Sequence, residues 1–398
     1  MRSQILMTAA ASAGLLALAA LAGPAPGYAD TGSTGTRSFT MAVYGDSPYG
    51  VNDADTSQTD ATPAFIDNVN ADPDVSTVVH VGDIHSGKQI CSESYDRQIA
   101  ALWTHFADPL VYTPGDNEWT DCHKLAEGGG KYSSTTGQIV YATTPGYAQG
   151  DPLANLALVR SIFFQTPGAT LGSGTLQTVS QATAYDPAHP EDAQYVENVM
   201  WQRKGVVFVT LNLPGGSNND NDIWYGTPTM SAAQQAEITQ RTGADLRWLD
   251  LAFAVAGASG AQAVVVVDQA DLWDLDFGVK EHLTQYEPFV SSLASHISAF
   301  GKPVLLLEGD SHIYRSDNPF QQGAPCTGDV FPGTTTGVCS YDDWSSHPFY
   351  DVGNVHRVVV HGSTAPLEWL KLTVTPGAHA PTTATSFGPF TWSRQVVG

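Results

Sequence analysis

The sequence predicts an α/β fold, and three observations carry that expectation. Short β-branched runs recur, each closed by Gly or Pro. Stretches with apolar residues at helical spacing stand between them. This alternation persists over most of the chain, as strand–helix layering requires. In order, FTMAVYG (39–45), STVVHVG (76–82), PLVYTPG (109–115), GVVFVTLNLPG (205–215), AQAVVVVD (261–268) and PVLLLEG (303–309) read as buried strands. Thr62-Pro63 predicts a helix start, with Thr62 as cap and Pro63 in the first turn. ESYDRQIAALWTHF (93–106) is amphipathic, and RWLDLAFAVA (247–256) reads as a buried helix. In 283–300, Tyr286, Phe289, Val290, Leu293, Ile297 and Phe300 form one helical face. NVHRVVVHG (354–362) and EWLKLTVTP (368–376) read as consecutive antiparallel strands. Residues 127–200, rich in Gly, Thr, Ser and Pro, read as a long irregular insertion around one short helix at 153–164. Residues 39–376 are thus expected to form one domain, with 377–398 as a C-terminal tail.

The first 29 residues have one Arg, an apolar run and small residues ending at Ala29, the layout of a secretory signal. The apolar part is short for a membrane span. A flexible lead-in at 30–38 follows. The expected location is therefore secreted, extracellular or periplasmic, with no membrane attachment after removal of the signal. The formal net charge of −23 argues against a nucleic-acid-binding surface. Four cysteines in an exported chain predict two disulfides. The favoured pairs are Cys91–Cys122 and Cys326–Cys339, the second closing a Gly- and Thr-rich loop.

Chemistry gathers where the strands end. Gly45-Asp46, Gly82-Asp83, Gly115-Asp116 and Gly309-Asp310 each close a strand-like run. One such pair suits any turn. Four at strand carboxyl ends share the rim where open α/β sheets bind ligands. Carboxylates crowded there repel one another unless cations neutralise them, so the pattern predicts a metal site.

At these residues the chain resembles the calcineurin-like metallophosphoesterases. That family orders its ligands as Asp-x-His, Gly-Asp, Gly-Asn-His-Asp/Glu, a lone His and Gly-His-x-His. This chain reads YGDSP, VGDIH, PGDNE, VVVVDQAD and EGDSH in the same order. The resemblance implies a two-sheet β-sandwich flanked by helices (α/β/β/α). It also implies hydrolysis of phosphoric esters, small or polymeric, by metal-activated water. Carried over, Asp46 binds the first metal, Asp83 bridges two, and Asp116 stands where the family uses Asn. Asn117 stands in place of the His that assists the leaving group. Gln269, or alternatively Asp268, occupies the lone His position. Asp310 replaces the first His of the last motif, and His312 keeps the second.

The departures have chemical consequences. Pro48 replaces a ligand His, and one family imidazole remains, on His312. An oxygen-rich site suits one or two hard cations, Mn2+, Mg2+ or Ca2+, over Zn2+. Asn117 donates a hydrogen bond but shuttles no proton, so His85 and His123 are candidate acids. Lys88 and the NLPGGSNNDND segment (212–222) are candidate phosphate-binding elements. Two alternatives stand beside this reading. One is a catalytically silent, metal-stabilised binding protein of the same fold. The other is a GDSL-type serine esterase with Ser47 as nucleophile, whose only Asp-x-x-His match is Asp186 to His189.

Overall fold

Met41 and Val43 of β1 (Phe39–Tyr44) join a core shared by two sheets, whereas Ala42 and Tyr44 join one packed on helices. This two-residue alternation organises the molecule. The structure is a computed structural model that describes residues 37–219, 222–274, 280–329, 336–338 and 347–397. In chain order β1 is followed by α1 (Ser57–Asn70), β2 (Val75–His80), α2 (Glu93–Trp103) and β3 (Leu110–Tyr112). The insertion holds a hairpin of β4 (Gly130–Ser133) and β5 (Gln138–Tyr141), then α3 (Pro152–Phe163) and β6 (Val179–Ser180). Next come β7 (Val199–Arg203), β8 (Val206–Thr210), α4 (Ala232–Ser259), β9 (Ala263–Val267), α5 (Glu287–Phe300) and β10 (Val304–Glu308). The remainder is β-structure: β11 (Arg315–Asp317), β12 (Thr327–Asp329), β13 (Thr336–Val338), β14 (Val355–Val359) and β15 (Glu368–Val374). It ends with β16 (Ala380–Thr383), β17 (Ser386–Gly388) and β18 (Phe390–Val396).

Sheet one runs β16-β17-β18-β15-β1-β2-β3, and sheet two runs β13-β12-β11-β14-β10-β9-β8-β7-β6. Their centres are parallel, β1–β2–β3 in one and β8–β9–β10–β14 in the other. Val79, Val111 and Leu372 face Phe208, Val265, Leu307 and Val358 between the sheets. Outside sheet one, Phe65, Ile66, Ile99, Trp103 and Val159 cover Ala42, Tyr44 and Val78. Outside sheet two, Trp248, Leu249, Phe289 and Leu293 cover Val207, Val264 and Leu306. Each such Val, Leu, Ile or Phe side chain contributes about 1.5–3 kcal/mol by leaving water. The result is the four-layer α/β/β/α sandwich that the resemblance implied.

Several local expectations are corrected. Helix α1 starts at Ser57 rather than at Thr62-Pro63, so Pro63 lies inside it. The Thr62 hydroxyl there donates to the Gln58 carbonyl instead of capping an end. Strands β14 and β15 are not paired. β14 lies beside β10 and β11 in sheet two, and β15 lies between β1 and β18 in sheet one. Their inward faces, Val358 and Leu372, meet across the sandwich instead of along one sheet. Residues 377–398 are not a tail. β18 pairs with all of β15, and Phe390 and Trp392 enter the inter-sheet core. The expected signal and most of the lead-in lie outside the described residues, as does Cys339. Cys91–Cys122 forms as expected, closing a sequence separation of 31.

Candidate metal centre

The four Gly-Asp pairs meet on one rim, although their strands belong to two sheets. Asp46, Asp83 and Asp116 follow β1, β2 and β3 of sheet one, and Asp310 follows β10 of sheet two. Asp46, Asp83 and Asp310 adopt φ of 49°, 61° and 67°. Asp tolerates this left-handed region better than most residues, and it turns each carboxylate inward. Asp46 and Asp83 are 0% and 1% exposed, and Asp116 is 7%. Glycine is required beside them, because a Cβ on Gly115 would stand 2.0 Å from Asp83 Oδ1. The stretch after β3 folds back on itself. The Asp116 carbonyl accepts the N–H groups of Trp119 (3.1 Å) and Asp121 (3.0 Å), and the disulfide at Cys122 anchors the turn.

Asp46 Oδ1 accepts the Asp310 N–H at 2.9 Å and lies 3.7 Å from His312 Nε2. Asp46 Oδ2 is buried without a hydrogen-bond partner. Asp83 Oδ2 accepts from the Tyr49 hydroxyl (2.6 Å) and Asn117 Nδ2 (2.8 Å). Asp83 Oδ1 accepts the Asn117 N–H at 3.2 Å. The Tyr49 oxygen also lies 3.3 Å from His312 Nε2. Two ligand groups share Asp83: Asp46–Asp83–His312 and Asp83–Asp116–Asp310, each with one donor atom per residue within 4.8 Å of the others.

No basic side chain among the described residues is paired with these acids. Burial, followed by repulsion from Asp116, Glu118 and Asp46, holds Asp83 well above the carboxylate range. Burial raises Asp46 and Asp310 in the same way, and pushes Asp116 to about 8, with Asp121 adding to it. Lys124, whose charge reaches Asp116, is held by Asp121 at 2.5 Å and Asp222 at 2.8 Å. Burial lowers the His312 pKa, keeping the imidazole neutral, the form that donates to a cation. The oxygen-rich donor set and the orphaned Asp46 oxygen therefore fit a hard divalent ion.

The structure brings Asp46, Asp83, Asp116, Asp310, His312 and Asn117 together. Gln269 also reaches the centre, but not as the expected oxygen ligand. Its Nε2 donates to Asp116 Oδ1 (2.9 Å) and Asp310 Oδ1 (3.1 Å), while its Oε1 accepts the Gly215 N–H. The alternative, Asp268, belongs to neither ligand group and lies beside Glu308. His85, expected as an acid, is drawn away: its ring bonds the Ser86 carbonyl and groups with Cys91 and Glu127. His123 accepts the Tyr225 N–H and groups with Asp121 and Asp222. Lys88 is exposed, and its charge is felt by His312. Gly215 and Gly216 of the 212–222 segment do line the rim. A Cβ on Gly215 would stand 2.3 Å from Asp310 Oδ1, and one on Gly216 would stand 3.8 Å from Asp116 Oδ2.

Sequence reasoning missed Tyr49 and Glu118. Glu118 Oε1 accepts the Tyr112 hydroxyl (2.6 Å) and the Ile84 N–H (3.2 Å), bracing the loops that carry Asp83 and Asp116. Tyr49 stands three residues past Asp46, and its aromatic ring gave no local sign that its hydroxyl would be turned to Asp83.

The geometry defines a four-layer α/β protein with a buried carboxylate centre at the strand ends. No protein-family model matches the chain, and no curated protein matches it. Among solved structures it is similar to a purple acid phosphatase from yellow lupin (Lupinus luteus) seeds, at 11% identity and a TM-score of 0.43. That match covers 93% of this chain and 53% of the other, so the chain spans about half the length of the phosphatase. A likeness this distant adds no weight to the reading of the site.

Proposed function

We propose that this chain is a metal-dependent hydrolase of phosphoric esters, acting on a small or polymeric phosphate ester. One observation carries the reading: buried Asp46, Asp83 and Asp116 converge with half-buried Asp310, and no basic side chain among the described residues neutralises them. Uncompensated buried carboxylates cost several kcal/mol, about 3–5 when a partner charge is missing, unless protons or a cation relieve them. Asp46, Asp83 and His312 would hold a divalent ion, with Asp116 and Asp310 beside it. Such an ion supplies Lewis acidity towards a phosphoryl oxygen and lowers the pKa of a water.

The chain's own residues do the rest. Asn117 Nδ2 and the Tyr49 hydroxyl fix the Asp83 carboxylate in one orientation. His312, half-buried, is kept neutral by burial and brings its Nε2 to 3.3 Å from the Tyr49 oxygen. Exposed Lys88 offers a positive charge for an anionic ester that the acidic surface otherwise repels. Asn117 donates a hydrogen bond without releasing a proton, so a substrate with a good leaving group is favoured. Export to an oxidising compartment is part of the same reading, supported by the buried Cys91–Cys122 disulfide. No helix among the described residues is long and apolar enough to cross a membrane.

The serine esterase alternative lacks its base. No imidazole among the described residues is hydrogen-bonded to the Ser47 hydroxyl, and His189 pairs locally with Glu191. The silent binding protein differs from the proposal only in turnover. Aryl phosphate mono- and diesters, assayed with Mn2+, Mg2+ or Ca2+, separate the two. Hydrolysis abolished by chelator and by Asp83→Ala supports the enzyme. Metal-dependent melting without turnover favours the binding protein, and neither effect overturns both.

A further inference from the structure

The two ends of the centre are built differently, and Gln269 makes the difference. Its amide nitrogen donates to Asp116 Oδ1 at 2.9 Å and to Asp310 Oδ1 at 3.1 Å. An amide's nitrogen and oxygen are normally interchangeable in assignment. Here Gly215 removes the ambiguity, because its backbone N–H, 2.5 Å from Gln269 Oε1, can only donate. The oxygen must face Gly215, and the NH2 must face the carboxylates. The side chain has no room to turn away. It is 0% exposed. A Cβ on Gly82 would lie 2.5 Å from Gln269 Cγ, and one on Gly115 would lie 2.8 Å from it. Both glycines precede site aspartates, so the backbone that carries Asp83 and Asp116 also clamps Gln269.

At the Asp46–Asp83–His312 end no amide bridges two carboxylates: Asn117 Nδ2 donates to Asp83 Oδ2 at 2.8 Å and to the Tyr49 oxygen, not to Asp46. Asp46 Oδ2 is buried and unpartnered, and the hydrogen in that corner belongs to the Tyr49 hydroxyl, which can rotate.

We propose that Gln269 stands in for a second cation, so that the centre takes one divalent ion, at the Asp46–Asp83–His312 end. This rests on the metal-dependent reading above and adds the number of ions and the residue that sets it. The two amide hydrogens occupy the space between Asp116 and Asp310 and satisfy one oxygen of each by charge-assisted hydrogen bonds. A cation seated between those oxygens would have to displace hydrogens that Gly215 holds in place.

The test is a metal count on the full chain, stripped with chelator and titrated with Mn2+ alone. Calorimetry gives the stoichiometry, and electron paramagnetic resonance distinguishes isolated from paired ions. The variant is Gln269→Glu, nearly isosteric, which keeps the Gly215 bond and replaces the two donors with an oxygen. Wild type should bind one Mn2+ per chain with the spectrum of an isolated ion. Gln269→Glu should bind two, a twofold rise in stoichiometry, with the broadened spectrum of a pair. Two ions in wild type overturn the inference and leave the metal-dependent reading standing, whereas no ion in wild type overturns both. One ion in a folded Gln269→Glu shows that the amide excludes nothing, and overturns the inference. Should circular dichroism show that variant unfolded, Gln269→Ala, which deletes the bridge and opens the space, carries the same expectation and the same failure.

Discussion

Two buried groups of acids sit near the strand ends, and the chain treats them in opposite ways. Behind the rim, Asp271, Asp317 and Glu308 surround Arg357, itself 0% exposed. Arg315 binds Asp271 from the other side. Burial pushes Asp271 up, but Arg357 and then Arg315 outweigh it and leave its carboxyl below the ordinary range. In the rim centre, Asp46, Asp83, Asp116 and Asp310 have no arginine, and all four are raised. Where these acids are structural, the chain supplies its own cation. In the proposed metal centre it supplies none among the described residues. Both groups are acidic, and the internal counter-charge separates them only in part: Glu308, although paired with Arg357, is still pushed up to about 8 by burial.

Arg357 should give the largest effect. Arg357→Met should destabilise the fold by about 3–5 kcal/mol, because Glu308 and Asp317 lose the Arg357 charge and Asp271 is left with Arg315. Denaturant unfolding measures this, and a loss under about 1 kcal/mol would mean the cluster is not charge-balanced as described. Metal should act only on the other group. Mn2+ at a hundredfold excess over its dissociation constant should stabilise the protein by about 2.7 kcal/mol. The rise in melting temperature should vanish with chelator. Asp46→Asn should do to the centre the reverse of what Arg357→Met does to the cluster. It removes a group whose ionisation burial opposes, keeps the acceptor for the Asp310 N–H, and should raise the melting temperature of the metal-free protein at alkaline pH. The same variant should lose the response to Mn2+.

The smallest effect tests a third acid outside both groups. Burial, then Glu118, holds Asp96 of α2 at about 8. A carboxyl with a folded pKa above its unfolded value keeps its proton when folded and releases it when unfolded. Its contribution therefore favours the fold at low pH and is lost as pH rises from 3.8 to about 8, at no more than about 1.4 kcal/mol per pH unit. Asp96→Asn should flatten the fall in melting temperature over that window, and an unchanged slope would show that other groups carry it.

Much of this contrast was already legible in the chain. Gly-Asp after a β-branched run is a local pattern, so four corners of the centre could be read from residues adjacent in sequence. Cys91–Cys122 was readable from its context. What escaped depended on partners far away. Gln269 reads as an oxygen ligand until Gly215, 54 residues earlier, turns its oxygen the other way. His85 reads as a candidate acid until its ring is seen grouped with Cys91 and Glu127, which the fold brings to it. In β18 the alternation is brief, Phe390 and Trp392 buried beside exposed Thr391 and Ser393, so a strand inside the sandwich read as a tail.

By itself the sequence determined the α/β alternation, the four acidic strand ends, and the surviving imidazole on His312. Each is encoded by neighbouring residues, where the two-residue period and glycine's conformational freedom act. Only the tertiary structure decided which strands share a sheet and which acids receive an arginine. It alone fixed the hydrogen bonds that orient Asn117, Tyr49 and Gln269. Charge balance and amide orientation are set by contacts between residues distant in sequence, and no local pattern records them.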